Sequence, residues 1–431
     1  MTESFSLKRI EIDKTWSFSD KTVKDTSYIT HCYYTYPAKF IPHLASRLIN
    51  EYSKEGDIVV DPFMGSGTTV VEALMNKRIC IGVDINELAY FISKVKTQPI
   101  PTKELIQFNW EFLPDLKTRL NGKYDLYLEK AKKIESENER IDYWFTESQK
   151  NKLLILYYSI LEIENKNIRN FYLVCFAQIL KTCSIWHQKS IKPTRDLKKN
   201  LQEPFQLFNS QLNKMVKQND EFNSMIASEI KANLNKYRII QNSDARNLPC
   251  QDEEAALIVT SPPYVTSYEY ADLHQLPSLW FGYFDELPEF RKKFIGSSYK
   301  TRDEEIDLQS KIANNIISKF GKSKKANEVK NYFADMLECF LEMKRVLKKG
   351  GRACIVIGNT QFKGVDILNA EVFLEQLSNI GFVNEDIIHR EIPSKMLPST
   401  RDKKTGQFVK ADSSDLKLAY PTEFILVMEK E

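Results

Sequence analysis

Short apolar runs bounded by turn residues recur along the chain, separated by stretches whose apolar positions return every three or four residues. This mixture of patterns predicts strands alternating with helices, and hence an α/β fold. Strands are predicted over 57–61 and 79–84, then 237–241 and 256–260, and finally 353–358, 383–389 and 423–429. Helices are predicted over 38–53 (Phe40, Ile41, Leu44, Leu48 and Ile49 on one face), 70–75, 86–96, 331–347 and 370–380. Lys348-Lys349-Gly350-Gly351 reads as a helix stop. Pro99 and Pro101 mark a boundary, and from 102 to 236 the pattern is helical and charged, clearest at 148–163 and 168–185. The expectation is a doubly wound, mostly parallel sheet formed by 1–101 and 237–431, interrupted after its second strand by a helical insert, 102–236. A long segment, 265–328, precedes the helix at 331–347.

Two strand ends carry the chemistry. The first strand runs into Asp61-Pro62-Phe63-Met64-Gly65-Ser66-Gly67-Thr68-Thr69 and then a helix. A strand, a glycine-rich turn and a helix form the first unit of a nucleotide-binding sheet, the glycines letting backbone approach a ligand closely. No Gly-Lys-Ser/Thr follows, so this is not a phosphate-binding loop, and the spacing is not that of the dinucleotide fingerprint. The second strand ends in Asp84, a position suited to ribose hydroxyls. The fourth strand runs into Ser261-Pro262-Pro263-Tyr264. Two prolines stiffen that loop, fix its carbonyls and set an aromatic face beside them. Such a loop suits gripping the exocyclic amine of a flat heterocycle.

Together, Asp61 to Thr69 and Thr260-Ser261-Pro262-Pro263-Tyr264 resemble the amino-methyltransferases of DNA, which use S-adenosylmethionine to methylate cytosine N4 or adenine N6. Asn242-Ser243-Asp244-Ala245-Arg246-Asn247-Leu248-Pro249 is similar to that family's third-strand motif, whose acid contacts the cofactor adenine. Tyr36-Pro37-Ala38-Lys39-Phe40-Ile41-Pro42 is similar to the segment closing over the methionine end. The resemblance covers roughly 28–98 and 237–431. It implies a Rossmann-like sheet closed by a final hairpin. It also implies cofactor contacts from Asp61, Phe63, Gly65, Gly67, Asp84, Asp244 and Lys39. The catalytic loop it implies is Ser261, Pro262, Pro263 and Tyr264. In the family, Ser-Pro-Pro-Tyr goes with cytosine N4 and Asp- or Asn-Pro-Pro-Tyr/Phe with adenine N6, with crossings both ways. The cofactor motif precedes the substrate motif here, whereas many Ser-Pro-Pro-Tyr enzymes run in the opposite, circularly permuted order.

The chemistry asks little beyond positioning, because a sulfonium methyl is already activated. Acceptors at Ser261 Oγ and the Pro262 carbonyl would hold the amine hydrogens, Tyr264 would stack on the base, and a duplex target would have to be flipped out. Pro249-Cys250-Gln251 superficially matches a cytosine C5 nucleophile motif, but it precedes the substrate loop, so a structural cysteine is expected.

Composition adds limits. Seven cysteines are scattered with no Cys-x-x-Cys pair, and His31, His187, His274 and His389 show no metal spacing. No apolar run reaches membrane-spanning length and the first residues lack a signal-peptide core, so a cytoplasmic enzyme is expected. The net charge of +3 leaves nucleic-acid binding to local patches. One patch is the tract from Lys181 to Lys199, with Lys189, Lys192 and Arg195 as candidate phosphate contacts and Trp186 as a candidate wedge. A local-core role for Trp186 is the alternative. A second patch precedes the last strand and contains Lys395, Arg401, Lys403, Lys404 and Lys410; a third is Arg291-Lys292-Lys293.

The expected function is therefore methylation of cytosine N4 in double-stranded DNA, beside a cognate restriction endonuclease. Adenine N6 of DNA, guanine N2 of RNA, and a non-catalytic recognition subunit remain open alternatives.

Overall fold

The computed structural model describes residues 7–37, 39–134, 138–190, 192–265, 270–284, 286–297, 306–392, 400–402, 416–418 and 421–431; the side chains of 8, 270, 400–402 and 416–418 lie outside the description. Among these residues a seven-stranded sheet forms the centre. Its strands are β1 (Ile58–Asp61), β2 (Ile79–Asp84), β3 (Arg238–Asn242), β4 (Ala255–Thr260), β5 (Leu347–Ile357), β6 (Phe382–Glu391) and β7 (Thr422–Lys430), in the order β3-β2-β1-β4-β5-β7-β6. The pairings from β3 to β5 are parallel. β7 runs antiparallel between β5 and β6, the closing hairpin that the resemblance implies.

Side-chain alternation explains how both faces are covered. Val60, Ile81, Ile258, Ile355 and Leu426 face the helices Lys324–Val346 and Asn369–Asn379. Their neighbours Val59, Cys80, Leu257, Val259, Val356 and Ile425 face α1 (Pro42–Tyr52) and α2 (Thr68–Met75). A strand buried on both sides reads as an unbroken apolar run, which is why β4 is apolar throughout its first five residues.

Two of the boundaries that differ from expectation do so for identifiable reasons. α1 starts four residues late, because Pro42 at its first turn leaves Ile41 extended. The long helix ends at Val346 and β5 begins at once, so Lys348-Lys349-Gly350-Gly351 lies inside the strand. There the register between β4 and β5 shifts, Gly350 takes φ +72°, and a Cβ on Gly351 would come within 2.8 Å of the Lys348 carbonyl. The glycine pair builds a bulge as well as ending a helix.

Between β2 and β3 the described elements are helices, with Thr102–Asn121, Glu147–Leu161, Lys166–Cys183 and Pro204–Met225 the longest. One apolar core joins this segment (Leu153, Phe171, Phe176, Phe208) to Leu88, Ala89 and Ile92 of α3 (Glu87–Lys96) and to Tyr33 and Tyr36. This segment thus shares its interior with the helix that follows β2. Among the described residues no helix is long and apolar enough to cross a membrane.

Candidate active site

The sheet order reverses between β1 and β4, which pair in parallel with Val59 opposite Leu257 and Val60 opposite Ile258. A crevice opens beyond the carboxyl ends of strands at such a switch point. Two segments some two hundred residues apart in sequence meet there. Asp61, 2% exposed, accepts a hydrogen bond from Thr260 Oγ1 at 2.6 Å and one from the Phe63 amide at 3.1 Å. Thr69 Oγ1 donates to the Val259 carbonyl at 3.1 Å. The glycine loop and the Ser-Pro-Pro-Tyr loop are therefore fastened at their bases. Burial pushes the Asp61 carboxyl up to about 6.

The glycine loop is held from three sides. Gly65 N–H donates to Asp84 Oδ2 and Asn86 N–H to Asp84 Oδ1, each at 2.9 Å. Burial pushes Asp84 up to about 6 as well, against these two bonds. On the α3 side, Ser93 Oγ donates to the Gly65 carbonyl at 2.9 Å and Lys96 Nζ to the Ser66 carbonyl at 2.6 Å. Gly67 has φ +76°, and a Cβ there would lie 2.7 Å from Ser93 Oγ. A Cβ on Gly65 would press against the Tyr36 ring at 3.2 Å. Both glycines are needed for close approach as much as for the turn.

On the facing wall, Ser261, Pro263 and Tyr264 line the same cavity, and Pro262 is buried. The Pro263 carbonyl accepts from Tyr332 Oη at 2.7 Å, so that carbonyl is engaged within the protein. Tyr264 Oη reaches Glu423 Oε2 at 3.4 Å, and Glu423 is ion-paired with the buried Arg390. A Cβ on Gly358 would meet the Tyr264 ring at 3.3 Å.

The cavity between the two walls has a volume of about 270 Å³ and is lined by Asp61, Phe63, Gly65, Asp84, Asp244 and Lys39, all named from the sequence. Gly67 lies behind it, packed on α3. Ser66 Oγ and Thr68 Oγ1 are buried, border the cavity and have no hydrogen-bond partner among the described residues. Orphaned hydroxyls of this kind point to a polar ligand. Together with the acids at two strand ends and the close-packed glycines, they fit S-adenosylmethionine, which the resemblance implies. Asp244 is bracketed by Arg246, at 2.6 Å from Oδ2, and Arg246 also reaches Asp335 and Glu338. Lys39 Nζ donates to the His31 carbonyl at 3.2 Å, and burial lowers it to about 8.

Sequence reasoning missed Gly296, Lys325, Glu328 and Tyr332 of the lining, and named Lys293, which also lines it, only within a basic patch. These lie in the segment after the substrate loop and in the first turns of Lys324–Val346, where no motif distinguishes them from an ordinary amphipathic surface. It also missed Ser93 and Lys96, which read as plain helix positions.

The basic tract is a built loop. Trp186 is 2% exposed, stacks on Trp144 at 5.1 Å and donates Nε1 to the Ser190 carbonyl. A tryptophan buried in this way is a local core residue, which corrects its reading as a wedge. Lys199 Nζ bonds three carbonyls, those of Lys181, Ser184 and Trp186. Lys189, Lys192 and Arg195 are exposed, with the Arg195 guanidinium 4.3 Å over the Tyr143 ring. Arg291 bonds Asp272 and Lys293 reaches Glu87. Lys395, Lys403, Lys404, Lys410 and the Arg401 side chain lie outside the described residues. Cys250 is buried, and burial with Glu254 nearby pushes its thiol up to about 12, unsuited to nucleophilic attack.

Comparison with known proteins gives a consistent picture. The family model described as DNA methylase matches residues 5–95 and 255–431. The Type II methyltransferase M.MvaI of Kocuria varians is 28% identical over 399 residues, covering 87% of each chain. M.MjaII of Methanocaldococcus jannaschii is 23% identical, covering 76% of this chain and 77% of its own; M.BsoBI of Geobacillus stearothermophilus is 23% identical, covering 86% and 82%.

Proposed function

The chain belongs to the S-adenosylmethionine-dependent DNA amino-methyltransferases of the N4/N6 family, and from that premise we propose that it methylates cytosine N4 in duplex DNA. The observation that carries the reading is the shared cavity, in which the Ser-Pro-Pro-Tyr loop faces the glycine loop across the Asp61–Thr260 hydrogen bond. Serine at 261, rather than Asp or Asn, supports cytosine as the base.

Asp84 is suited to the ribose hydroxyls, Asp244 to the adenine, and Lys39 with the Ser66 and Thr68 hydroxyls to the methionine end. When bound, S-adenosylmethionine supplies an electrophilic methyl group. The protein's part is to hold the nucleophile. Ser261 Oγ and the Pro262 carbonyl accept from the two amine hydrogens, which draws the nitrogen lone pair out of conjugation with the ring. Tyr264 offers its face to the base, its hydroxyl steadied by Glu423. The amine loses its proton after transfer, so no strong general base is required. A loop that lines a cavity is consistent with a cytosine that leaves the helix stack to reach it. Lys189, Lys192 and Arg195, with Arg401, Lys403 and Lys404, contact backbone phosphates, and the helical segment 102–236 contributes to target recognition. The biological setting is a restriction–modification system in which methylation protects DNA from a cognate endonuclease.

The test is incubation with labelled S-adenosylmethionine and unmethylated DNA, followed by digestion to nucleosides and mass spectrometry. N4-methylcytosine is expected; N6-methyladenine would overturn the base assignment. Tyr264→Ala is expected to lower kcat/KM at least a hundredfold with DNA binding retained. Unchanged methylation by this variant would remove Tyr264 from the catalytic loop.

A further inference from the structure

Lys96 is a fully buried side chain at the last position of α3. An ammonium in such a place is costly unless a polar group meets it. Its acceptor is the Ser66 carbonyl at 2.6 Å, in the middle of the glycine loop. The carboxylate that acts on it electrostatically, Glu72, is engaged elsewhere, with Tyr28 Oη and with His31 Nε2 at 2.7 Å. One helical turn earlier on α3, Ser93 Oγ takes the preceding carbonyl, Gly65, at 2.9 Å. Two successive loop carbonyls are thus drawn onto one helix. A trans peptide is planar, with its N–H opposed to its C=O. Drawing the Gly65 carbonyl toward α3 therefore turns the Ser66 N–H away from α3. The next N–H, that of Gly67, is consumed inside the turn by the Met64 carbonyl. Ser66 is also one of the two residues whose buried hydroxyl borders the cavity without a partner among the described residues.

We propose that Lys96 and Ser93 are positioning residues for the cofactor: by fixing the Gly65 and Ser66 carbonyls against α3, they hold the glycine loop in the shape that receives S-adenosylmethionine. A methionine would fill the Lys96 site without a buried polar group, so the lysine is explained by its bond to the loop rather than by packing. The inference concerns cofactor binding alone and does not depend on which base is methylated.

The experiment measures S-adenosylhomocysteine affinity by calorimetry, ligand-free melting temperature, and separate KM values for cofactor and DNA, for the parent chain and for Lys96→Met and Ser93→Ala. Lys96→Met should weaken cofactor binding about tenfold, since it leaves the Ser66 carbonyl without its donor. It should leave KM for DNA within about twofold and should not lower the ligand-free melting temperature. Ser93→Ala should weaken cofactor binding about fivefold. A lower melting temperature with unchanged cofactor affinity would make Lys96 a packing residue and overturn the proposal. If Lys96→Met fails to fold, unchanged affinity in Ser93→Ala overturns it alone.

Discussion

At the scale of single residues, the site depends on buried acids whose titration is displaced. Asp61 is pushed from the ordinary carboxylate value of 3.8 to about 6, chiefly by burial. A group raised in the folded state binds more protons folded than unfolded between those two values. Its ionisation therefore opposes folding above pH 6, and that penalty disappears as the pH falls through 6 toward 4. Asp61→Asn keeps an oxygen for Thr260 and Phe63 but cannot ionise. Relative to the parent, the variant should be more stable at pH 7.5, by on the order of 2 kcal/mol, and this advantage should shrink toward pH 5. Urea unfolding at both pH values measures it; a constant difference would mean Asp61 does not titrate in this range. The acid itself was legible in the sequence because it opens the glycine motif. Its environment was not, because one of its hydrogen-bond donors is Thr260, which only strand pairing brings near.

At the scale of elements, the strand-turn-helix unit is the part of the site most visible in the sequence, since glycines at fixed offsets between two apolar runs have few other readings. What the pattern left out is the element on which that turn leans. α3 reads as an ordinary amphipathic helix, yet Ser93 fills the space beside Gly67 and bonds Gly65. Gly67→Ala tests this coupling. The substitution meets a left-handed backbone, costing about 1–2 kcal/mol, and places a methyl 2.7 Å from Ser93 Oγ. The expected outcome is cofactor affinity reduced at least tenfold, while DNA binding by gel shift stays within threefold. Introducing Ser93→Ala beside it should recover part of the stability, because the oxygen that the methyl meets is then gone. No recovery would show that the backbone angle, not the neighbouring helix, requires glycine. The glycines at 350 and 351 illustrate the opposite failure of local reading: a helix-stop signal concealed a strand bulge, because Gly-Gly serves both and only the register with Ala255 distinguishes them.

At the scale of the whole molecule, periodicity revealed that 102–236 is helical but not what its apolar faces cover. The answer, a core shared with α3 and Tyr33, needed the tertiary arrangement. The same limit applied to the basic tract, whose composition could not separate cations held inside from cations facing water. Lys199 is bound to three carbonyls, whereas Lys189, Lys192 and Arg195 are exposed on a loop braced by the Trp144–Trp186 stack. A braced loop presents its charges without having to be ordered on binding, which favours phosphate binding. The loop is also tied toward the cavity, because Trp144 Nε1 and Arg140 both donate to Gln275 Oε1 and the adjacent His274 stacks at 4.3 Å on Tyr36, which lines the cavity. If these three cations meet DNA, replacing them with alanine should weaken binding to all sequences alike. The plot of log affinity against log salt should become shallower by about 0.9 for each phosphate that is no longer neutralised. At saturating DNA, kcat should stay within about threefold, since the cavity is untouched. A reduced affinity with an unchanged salt slope would assign the loop to folding instead, and a change in sequence preference would assign it to reading bases rather than phosphates.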